Sequence, residues 1–393
     1  MFSQRRQKLN LKNGECALIV GQSFFENPRG ICNSNLFYLT GLKNGNAALF
    51  LKKTKNFLEE YLFVDLQKPK RVVWEGKAPT KSEIAENTQV NNVYHIRRVY
   101  DLLYRHLREC KKLFLEESRN PYVTLIGKTV NIKSFALSAN PKLKFAKILP
   151  RIASLRMVKS KAEVQKICKA IQITKKGIDA VLKEAKAGMM EYELEAVFDY
   201  ETKRCGAFEK PFLPIIASGE NSCTLHYTKN NRKINNGDVV LLDVGCKVDG
   251  YCSDISRCFF VGGSSDKVKE KEKLYEALKK IQKKVIAKVK PGILIKKLNV
   301  YTRELIAFEL KKLKMIKSKK EVKDYFFHSV SHHLGLDAHD LSIRNKPLQV
   351  GNVITIEPGI YLREIKSGFR IEDDILVTET GSVNLSKAIS YDI

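Results

Sequence analysis

Two aspartates interrupt apolar, strand-like stretches of this chain, and their spacing suggests a pair of carboxylates. Asp243 lies in D-V-V-L-L-D-V-G, and Asp254 follows eleven residues later in Y-C-S-D-I-S-R. The dipeptide Asp249-Gly250 between them is a strong hairpin signal, and a turn centred there puts residue 256 opposite Asp243 and makes Asp254 its diagonal neighbour. Because buried carboxylates need compensation, a metal ion would balance the pair. Two capped or salt-bridged aspartates would give the same local pattern.

Two later strand-like segments each present an acid on one face and apolar side chains on the other. In V-I-T-I-E-P-G the acid is Glu357, which lies opposite the face of the two isoleucines. In F-R-I-E-D-D-I-L-V, the residues Arg370, Glu372 and Asp374 share a face because side chains alternate along a strand. Asp373 falls on the apolar side, so we expect it to lie near an edge or to bond to backbone.

Histidine is concentrated in two short stretches of the sequence. Of seven histidines, His226 lies in S-G-E-N-S-C-T-L-H-Y-T and four lie in F-F-H-S-V-S-H-H-L-G-L-D-A-H-D. Four histidines within twelve residues are not explained by ordinary core packing, so His328, His332 and His339 become candidates for chemistry. Alternation turns His333 away from His332, which predicts a packing role for His333.

Four acids and one histidine together make an oxygen-rich set of candidate ligands, namely Asp243, Asp254, Glu357, Glu372 and one of the histidines. Four ionised carboxylates would be balanced by two divalent ions. This donor set suits Mn²⁺, Co²⁺ or Fe²⁺ at least as well as Zn²⁺, and we expect Mn²⁺. Two metals about 3–4 Å apart can share a hydroxide nucleophile and polarise a carbonyl.

The elements before these residues alternate between strands and helices. Strand-like runs fall at residues 15–20, 47–51, 61–66, 72–74 and 122–126, and a helical pattern covers residues 97–117. This alternation predicts an α/β domain over residues 1–155, with residues 150–159 as a linker or a first contact with the next domain. Trp74 is expected to pack in its core.

The elements around the candidate ligands predict an α+β domain over residues 156–393, with helices packed on one face of a curved sheet. A capping box, Ser160 to Glu163, opens a long helix. Further helical patterns cover residues 191–204, 267–289 and 296–313, and strand-like segments cover residues 214–217, the hairpin, and the chain from residue 327 onward.

Composition favours a cytoplasmic protein that does not bind membranes. The chain has 393 residues and no apolar run long enough for a membrane span or a signal peptide. Its nine cysteines form no C-x-x-C pair, so we expect reduced thiols that mostly fill the core, Cys246, Cys252 and Cys258 included. The net charge of +27 is spread over amphipathic lysine-rich helices, so no nucleic-acid partner is expected.

Taken together, these motifs resemble the pita-bread metallopeptidases, which include methionine aminopeptidase, prolidase and aminopeptidase P. The matching pieces are L-H-Y-T, L-L-D-V-G, S-D-I-S-R, H-x-x-x-H-x-L-G-L-D-x-H-D, I-E-P-G-I-Y and R-I-E-D-D. The likeness is close over about residues 155–385, and N-S-N-L-F-Y-L-T-G is similar to the N-terminal domain shared by aminopeptidase P and prolidase. The resemblance implies an α+β pita-bread catalytic domain preceded by an α/β creatinase-like domain.

The resemblance also implies how the two metals are held. Asp243 would bind one metal, and Asp254 and Glu372 would bridge both. His332 and Glu357 would complete the shell of the second metal.

Other residues would act on the substrate. Glu357 would also take the proton of the bridging water, while His226 and His339 would flank the scissile peptide. His328 would line the pocket, and Arg370 would pair with a neighbouring carboxylate or with a substrate group.

Within the family the motifs look most like aminopeptidase P, which implies removal of the first residue from peptides whose second residue is proline, by a homodimer or homotetramer. Prolidase, which cleaves only Xaa-Pro dipeptides, is the alternative within the family. A metal-free relative that binds RNA or ribosomes is the alternative of another class. Two positions stand apart: Ser329 occupies the place of the family's usual glycine, and the segment around Trp74 is similar to one that reaches a neighbouring subunit's site in some members.

Overall fold

The computed structural model describes residues 1–21, 31, 33–43, 46–67, 71–116, 122–125, 128–262 and 266–391. Its chain divides into two compact units, Met1–Arg156 and Met157–Ile393. None of the helices in these described ranges combines the length and the apolar character that a membrane crossing requires.

The first unit is built on a six-stranded sheet in the order β4-β3-β2-β1-β5-β8. The strands of this unit are β1 (Glu15–Val20), β2 (Ala47–Lys53), β3 (Leu58–Val64), β4 (Asn92–His95), β5 (Lys112–Leu115), β6 (Tyr122–Leu125), β7 (Lys128–Asn131) and β8 (Lys144–Lys147). The central strand β1 is buried along its whole length, pairs antiparallel with β2 and pairs parallel with β5. Burial on both faces explains its continuous apolar run.

The helices of the first unit are α1 (Phe2–Gln7), α2 (Ser34–Thr40), α3 (Val72–Glu75), α4 (Lys81–Thr88), α5 (Val99–Leu107), α6 (Ile132–Ala139) and α7 (Leu149–Met157). Helix α2 shows how the motif N-S-N-L-F-Y-L-T-G is used. The Asn33 side chain accepts the amides of Asn35 and Leu36 at its start, and Gly41 ends it with φ of 78°.

Four expectations for this unit need correction. Residues 72–74 form part of helix α3 and no strand, and Trp74 is 87 % exposed where we expected core packing. Three β-branched or aromatic residues are too short a run to distinguish a strand from a helical turn. The helical pattern from residue 97 ends at Leu107 and gives way to β5, and most of the expected linker at residues 150–159 belongs to α7.

The expectation that all cysteines are reduced is also wrong for one pair. Cys16 on β1 and Cys110 form a disulfide across 94 residues of sequence. The parallel pairing of β1 with β5 sets Cys16 opposite Leu113, which brings the turn before β5 next to it. Cys246, Cys252 and Cys258 are buried free thiols, in agreement with their expected packing role.

The second unit contains helices α8 (Lys161–Glu184), α9 (Glu191–Arg204), α10 (Asp266–Ile286) and α11 (Ile295–Lys312). Its strands are β9 (Ile215–Ser218), β10 (Asp238–Val244), β11 (Lys247–Val248), β12 (Tyr251–Cys252), β13 (Ile255–Val261), β14 (Val353–Ile356), β15 (Gly359–Leu362), β16 (Ser367–Arg370), β17 (Asp373–Val377) and β18 (Ser382–Asn384). The capping box of Ser160 and Glu163 at the start of α8 is confirmed.

The strands of this unit form sheets of order β13-β10-β9 and β14-β17-β18, with short pairs β11-β12 and β15-β16. The expected hairpin register is confirmed, because Asp243 on β10 pairs with Ser256 on β13. The turn at Asp249 and Gly250 has φ of 48° and 87° at these two residues. One hydrophobic core joins α10 and α11 to both sheets, through residues such as Leu278, Ile306, Leu241, Ile354 and Ile375.

Two expectations about the later strands need correction. Residues 327–352 carry isolated bridges but no described strand, and continuous pairing starts only at Val353. Asp373 lies at no edge: it is fully buried on β17, and its Oδ1 accepts a 2.7 Å bond from the guanidinium of Arg257. That partner lies 116 residues upstream, so the local pattern could not reveal it.

Candidate active site

All nine candidate residues line a single cavity of about 520 Å³ in the second unit. They are Asp243, Asp254, Glu357, Glu372, His226, His328, His332, His339 and Arg370. Apolar side chains complete the wall, among them Phe212, Leu213, Ile215 and Leu225. The cavity therefore combines a charged end with an apolar lining, as small-molecule and peptide sites commonly do.

The two sheets meet at the acids. Ser256, opposite Asp243 in the hairpin, donates from its Oγ to Glu372 Oε2 at 2.8 Å, and its carbonyl accepts the Glu372 amide at 3.1 Å. Glu372 lies just before β17, and Asp254 lies just before β13. Both acids therefore sit where a strand begins, and the bonds through Ser256 hold them on the same side of the cavity.

His332 lies at the centre of the acid cluster. Its Nε2 is 3.4 Å from Glu357 Oε1, 3.6 Å from Asp254 Oδ2 and 3.9 Å from Glu372 Oε1. The other ring nitrogen, Nδ1, lies 3.2 Å from the carbonyl of His333, which turns Nε2 toward the acids. Donor atoms of Asp254, His332 and Glu372 all lie within 4.8 Å of one another.

Burial and mutual repulsion raise the free energy of the ionised acids in this cluster when no cation is bound. Burial, reinforced by the neighbouring carboxylates, holds the pKa of Asp254 and that of Glu357 well above their usual range and raises the pKa of Glu372 to about 8. Burial lowers the pKa of His332 to about 4, so its imidazole is neutral and able to donate a lone pair.

Arg370 compensates only part of this charge. Its guanidinium donates to Asp243 Oδ2 at 2.5 Å, to Ser256 Oγ at 2.9 Å and to the hydroxyl of Tyr361 at 3.0 Å. The second oxygen of Asp243, Oδ1, is buried and has no hydrogen-bond partner among the described residues. A buried acceptor without a hydrogen-bond partner needs an explanation, and an atom that binds a cation provides one.

The residues present fit divalent metal ions. Four carboxylates and one neutral imidazole supply hard and borderline donors, and the orphaned oxygen of Asp243 adds a free acceptor. Asp243, Asp254, His332, Glu357 and Glu372 are the side chains that would hold them.

The remaining histidines line the cavity around the acid cluster. His328 Nε2 lies 2.9 Å from the Tyr361 hydroxyl, and burial lowers the pKa of His328 to about 4. The ring centroids of His339 and His332 are 4.1 Å apart, and the two ring planes are tilted by 37°. His226 is exposed in the loop after β9. His333 is buried, bridges to Ile354 and does not line the cavity, as its alternation predicted.

Sequence reasoning gave no role to three residues that build the site. Ser256 links the acids, Tyr361 joins His328 to Arg370, and Asp374 Oδ2 accepts the amide of Asp254 at 3.2 Å. The hairpin register already indicated Ser256 as the partner of Asp243, and Tyr361 belongs to the motif I-E-P-G-I-Y. Neither residue carried a signal of its own chemistry.

The serine at position 329 causes no backbone strain. Ser329 does not have a positive φ, so a side chain is tolerated where the resemblance implies glycine. Its Oγ accepts from the Asn299 amide group at 3.1 Å and donates to the carbonyl of Ser331 at 3.0 Å.

A fold of helices on curved antiparallel sheets, with this acid and histidine cluster, defines a metal-dependent hydrolase. The model for "Metallopeptidase family M24" matches residues 165–379, and the model for "Aminopeptidase P, N-terminal domain" matches residues 2–114. The chain therefore belongs to metallopeptidase family M24. It is a peptidase, its cluster implies divalent metals, and the prediction of a pita-bread catalytic domain after a creatinase-like α/β domain is confirmed.

Relatives and solved structures agree with this assignment. The chain is 31 % identical over 383 residues to the Xaa-Pro aminopeptidase of Haemophilus influenzae, covering 92 % of this chain and 86 % of the relative. It is 36 % identical over 293 residues to the Xaa-Pro dipeptidase of Pyrococcus horikoshii, covering 73 % and 76 %. The structure of a putative aminopeptidase P from Bacillus anthracis aligns with a TM-score of 0.91 at 34 % identity, covering 100 % of this chain and 95 % of that chain.

Proposed function

We propose that the protein is an Xaa-Pro aminopeptidase, which removes the first residue from peptides whose second residue is proline. The main support is that the five candidate ligands and three further histidines line one cavity with apolar walls. The preference over a dipeptidase rests on coverage, since the likeness to the Xaa-Pro aminopeptidase spans 92 % of the chain and the likeness to the dipeptidase spans 73 %.

Two divalent ions, Mn²⁺ by preference over Co²⁺, Fe²⁺ or Zn²⁺, complete the proposed site. Asp243, Asp254, His332, Glu357 and Glu372 are the side chains that would hold them. When bound, the ions supply a hydroxide nucleophile and polarise the scissile carbonyl.

The side chains of the protein then handle protons and orientation. Glu357 accepts the proton of the attacking water. His226 and His339 lie on the substrate side and hydrogen-bond the scissile amide or pass a proton to the leaving nitrogen. His328 and Arg370 line the substrate cavity, and both contact Tyr361. Because Arg370 also binds Asp243, it orients a ligand at the same time.

The decisive experiment offers the protein, loaded with Mn²⁺, an Xaa-Pro dipeptide and an Xaa-Pro-Xaa tripeptide side by side. The proposal expects cleavage of the first bond of the tripeptide, loss of cleavage with a chelator, and little cleavage of a control tripeptide with alanine second. Cleavage of the dipeptide alone would make the protein a prolidase instead.

A non-catalytic function is the remaining alternative, motivated by the net charge of +27. If neither peptide is cleaved and RNA binds with a steep dependence on salt concentration, the RNA-binding proposal replaces the peptidase proposal. A cytoplasmic location, a homodimer or homotetramer, and domains at residues 1–155 and 156–393 complete the proposal.

A further inference from the structure

Glu191 is a buried carboxylate that lies outside the cavity lining and fixes the loop that forms one wall of the cavity. Glu191, the first residue of α9, is 0 % exposed. It lies at a helix N-terminus, a position that suits an acidic side chain because the helix dipole is positive there. A buried charge of this kind is retained only when hydrogen bonds satisfy it.

The hydrogen bonds to Glu191 come from the chain segment between Ser218 and Arg232. Within the described part of the chain, its carboxylate accepts from five donor groups. They are Ser218 N at 2.7 Å, Ser218 Oγ at 2.7 Å, Asn221 Nδ2 at 3.2 Å, Tyr227 Oη at 2.7 Å and Arg232 N at 2.9 Å. The Glu191 side chain therefore binds both ends of the loop, at Ser218 and Arg232, and its middle, at Asn221 and Tyr227.

His226 lies within this loop, directly before an anchored residue. Its own side chain is exposed and lines the cavity, whereas Tyr227 is 9 % exposed and bound to Glu191. On the other side of the loop, Ser222 Oγ accepts the amide of Gly368 at 2.7 Å, which ties the loop to β16. The exposed imidazole of His226 therefore lies on a backbone whose position is fixed by the bonds to Glu191 and to β16.

We infer that Glu191 is a positioning residue, which holds His226 against the substrate through the Tyr227 hydroxyl and the loop amides. This inference rests on the proposed function, in which His226 acts on the scissile amide. Geometry near the reacting atoms matters, since a misplacement of about 1 Å can cost roughly 100-fold in rate.

The carboxylate cannot be replaced by an amide without loss. A glutamine has only one acceptor oxygen. Its NH₂ group is a donor and would lie against groups that are also donors, such as the amide of Arg232. Tyr227 remains a donor because burial and the bond to Glu191 raise the pKa of its phenol to about 12. The guanidinium of Arg232 adds a 2.7 Å bond to Ser218 Oγ and a 2.6 Å bond to Asp238, which closes the loop.

The first test compares Glu191→Gln with Glu193→Gln in the metal-loaded protein. Glu191→Gln is expected to lower kcat for the Xaa-Pro-Xaa tripeptide about 10- to 100-fold, with KM and metal content unchanged. Glu193 lies two residues along the same helix and bonds the amide of Met190 at 2.6 Å in a capping box, a role that glutamine also fills. Glu193→Gln therefore controls for the same chemical change and is expected to leave kcat unchanged.

The second test asks whether the loss passes through His226. In a His226→Ala background, Glu191→Gln is expected to lower kcat less than twofold, while in a His339→Ala background it keeps its full effect. An equal loss in all backgrounds would overturn the inference and make Glu191 an ordinary structural residue. Tyr227→Phe, which keeps the buried ring, is expected to show the same dependence on His226 and serves if Glu191→Gln does not fold.

A third readout needs no peptide cleavage. In protein labelled with ¹⁵N-histidine, the imidazole signals of His226, assigned through His226→Ala, are expected to shift and broaden in Glu191→Gln but not in Glu193→Gln. Unchanged signals would overturn the inference. If the signals change while the wild type cleaves neither peptide, the proposed function fails and the positioning by Glu191 stands.

Discussion

At the scale of single residues, the site is defined by charge that the protein alone does not balance. Asp254, Glu357 and Glu372 share a buried cavity, and the bond from Arg370 reaches only one oxygen of Asp243. If all four carboxylates are ionised, one guanidinium leaves an excess of negative charge, which bound divalent ions would balance.

Loss of a shared ligand should therefore remove the metal itself. We expect Asp254→Ala and Glu372→Ala to lose bound Mn²⁺ and to fall to the turnover of the chelated wild type, because each removes an oxygen within 4.8 Å of the other donors. Metal content by mass spectrometry and peptide turnover check this, with the exposed Glu364→Ala as the control. Full activity in either ligand variant would contradict the two-metal site.

The outer histidines should behave differently from the ligands. We expect His226→Ala and His339→Ala to keep bound metal near the wild-type content while kcat falls at least tenfold, and by up to about 10²–10⁴-fold if a proton-transfer group is lost completely. Metal analysis and steady-state kinetics on the same preparations separate the two effects. Loss of metal would make these histidines ligands, and unchanged turnover would leave them as packing residues.

Metal binding should also release protons. In the metal-free protein the pKa of Glu372 is raised to about 8 from 4.5, so the folded chain binds a proton more tightly than the unfolded chain. Its contribution to stability is therefore full below pH 4.5 and is lost as pH rises through about 8. We expect Mn²⁺ binding at pH 7 to release protons, and titration calorimetry in buffers of different ionisation enthalpy measures this. Identical heats in all buffers would exclude it.

At the scale of elements, the β10–β13 hairpin was predictable from sequence because its signal is local. The Asp-Gly turn fixes the register, and the register fixes which side chains face one another. The disulfide partner of Cys16 and the Arg257 partner of Asp373 lie 94 and 116 residues away, so no local pattern reveals them. The short helix Val72–Glu75 differs from the predicted strand because its β-branched residues favour a strand, and four residues are too few to show a helical periodicity.

The turn itself can be tested. Gly250 has φ of 87°, a conformation that side chains rarely adopt, so Gly250→Val should destabilise the folded protein by about 1–3 kcal/mol and weaken Mn²⁺ binding. Asp249→Asn is the matched control, since asparagine tolerates the left-handed φ of 48° at that position. Urea unfolding and metal titration measure both effects. Equal midpoints for Gly250→Val and the wild type would show that the turn does not determine the register.

At the scale of the whole molecule, the Cys16–Cys110 disulfide differs from the reduced thiols that the sequence predicts. A cytoplasmic location favours reduced thiols, whereas Cys16 and Cys110 are both buried and bonded to each other in the first unit. The compartment in which the protein works therefore decides whether this bond exists.

The state of this bond is measurable in the purified protein. Cys16→Ala with Cys110→Ala should lower the free energy of unfolding by about 4 kcal/mol relative to the oxidised wild type, because the bond closes a loop of 94 residues. Denaturant unfolding with and without reductant measures this, and Cys168→Ala, a free and partly exposed thiol, is the control. If reductant leaves the wild type unchanged, the thiols are already reduced.

The wide spacing of the ligands along the chain has a consequence during synthesis. Ser256 and Glu372, which meet across the two sheets, are separated by 116 residues of sequence. When the ribosome has just synthesised the hairpin, the chain therefore contains Asp243 and Asp254 but not yet Glu357 and Glu372. Such an unfinished chain cannot assemble the proposed metal site, so we expect hydrolytic activity only after the segment around Glu372 has been synthesised. Because of the order of the proposed ligands along the sequence, we expect the nascent chain to be unable to hydrolyse peptides.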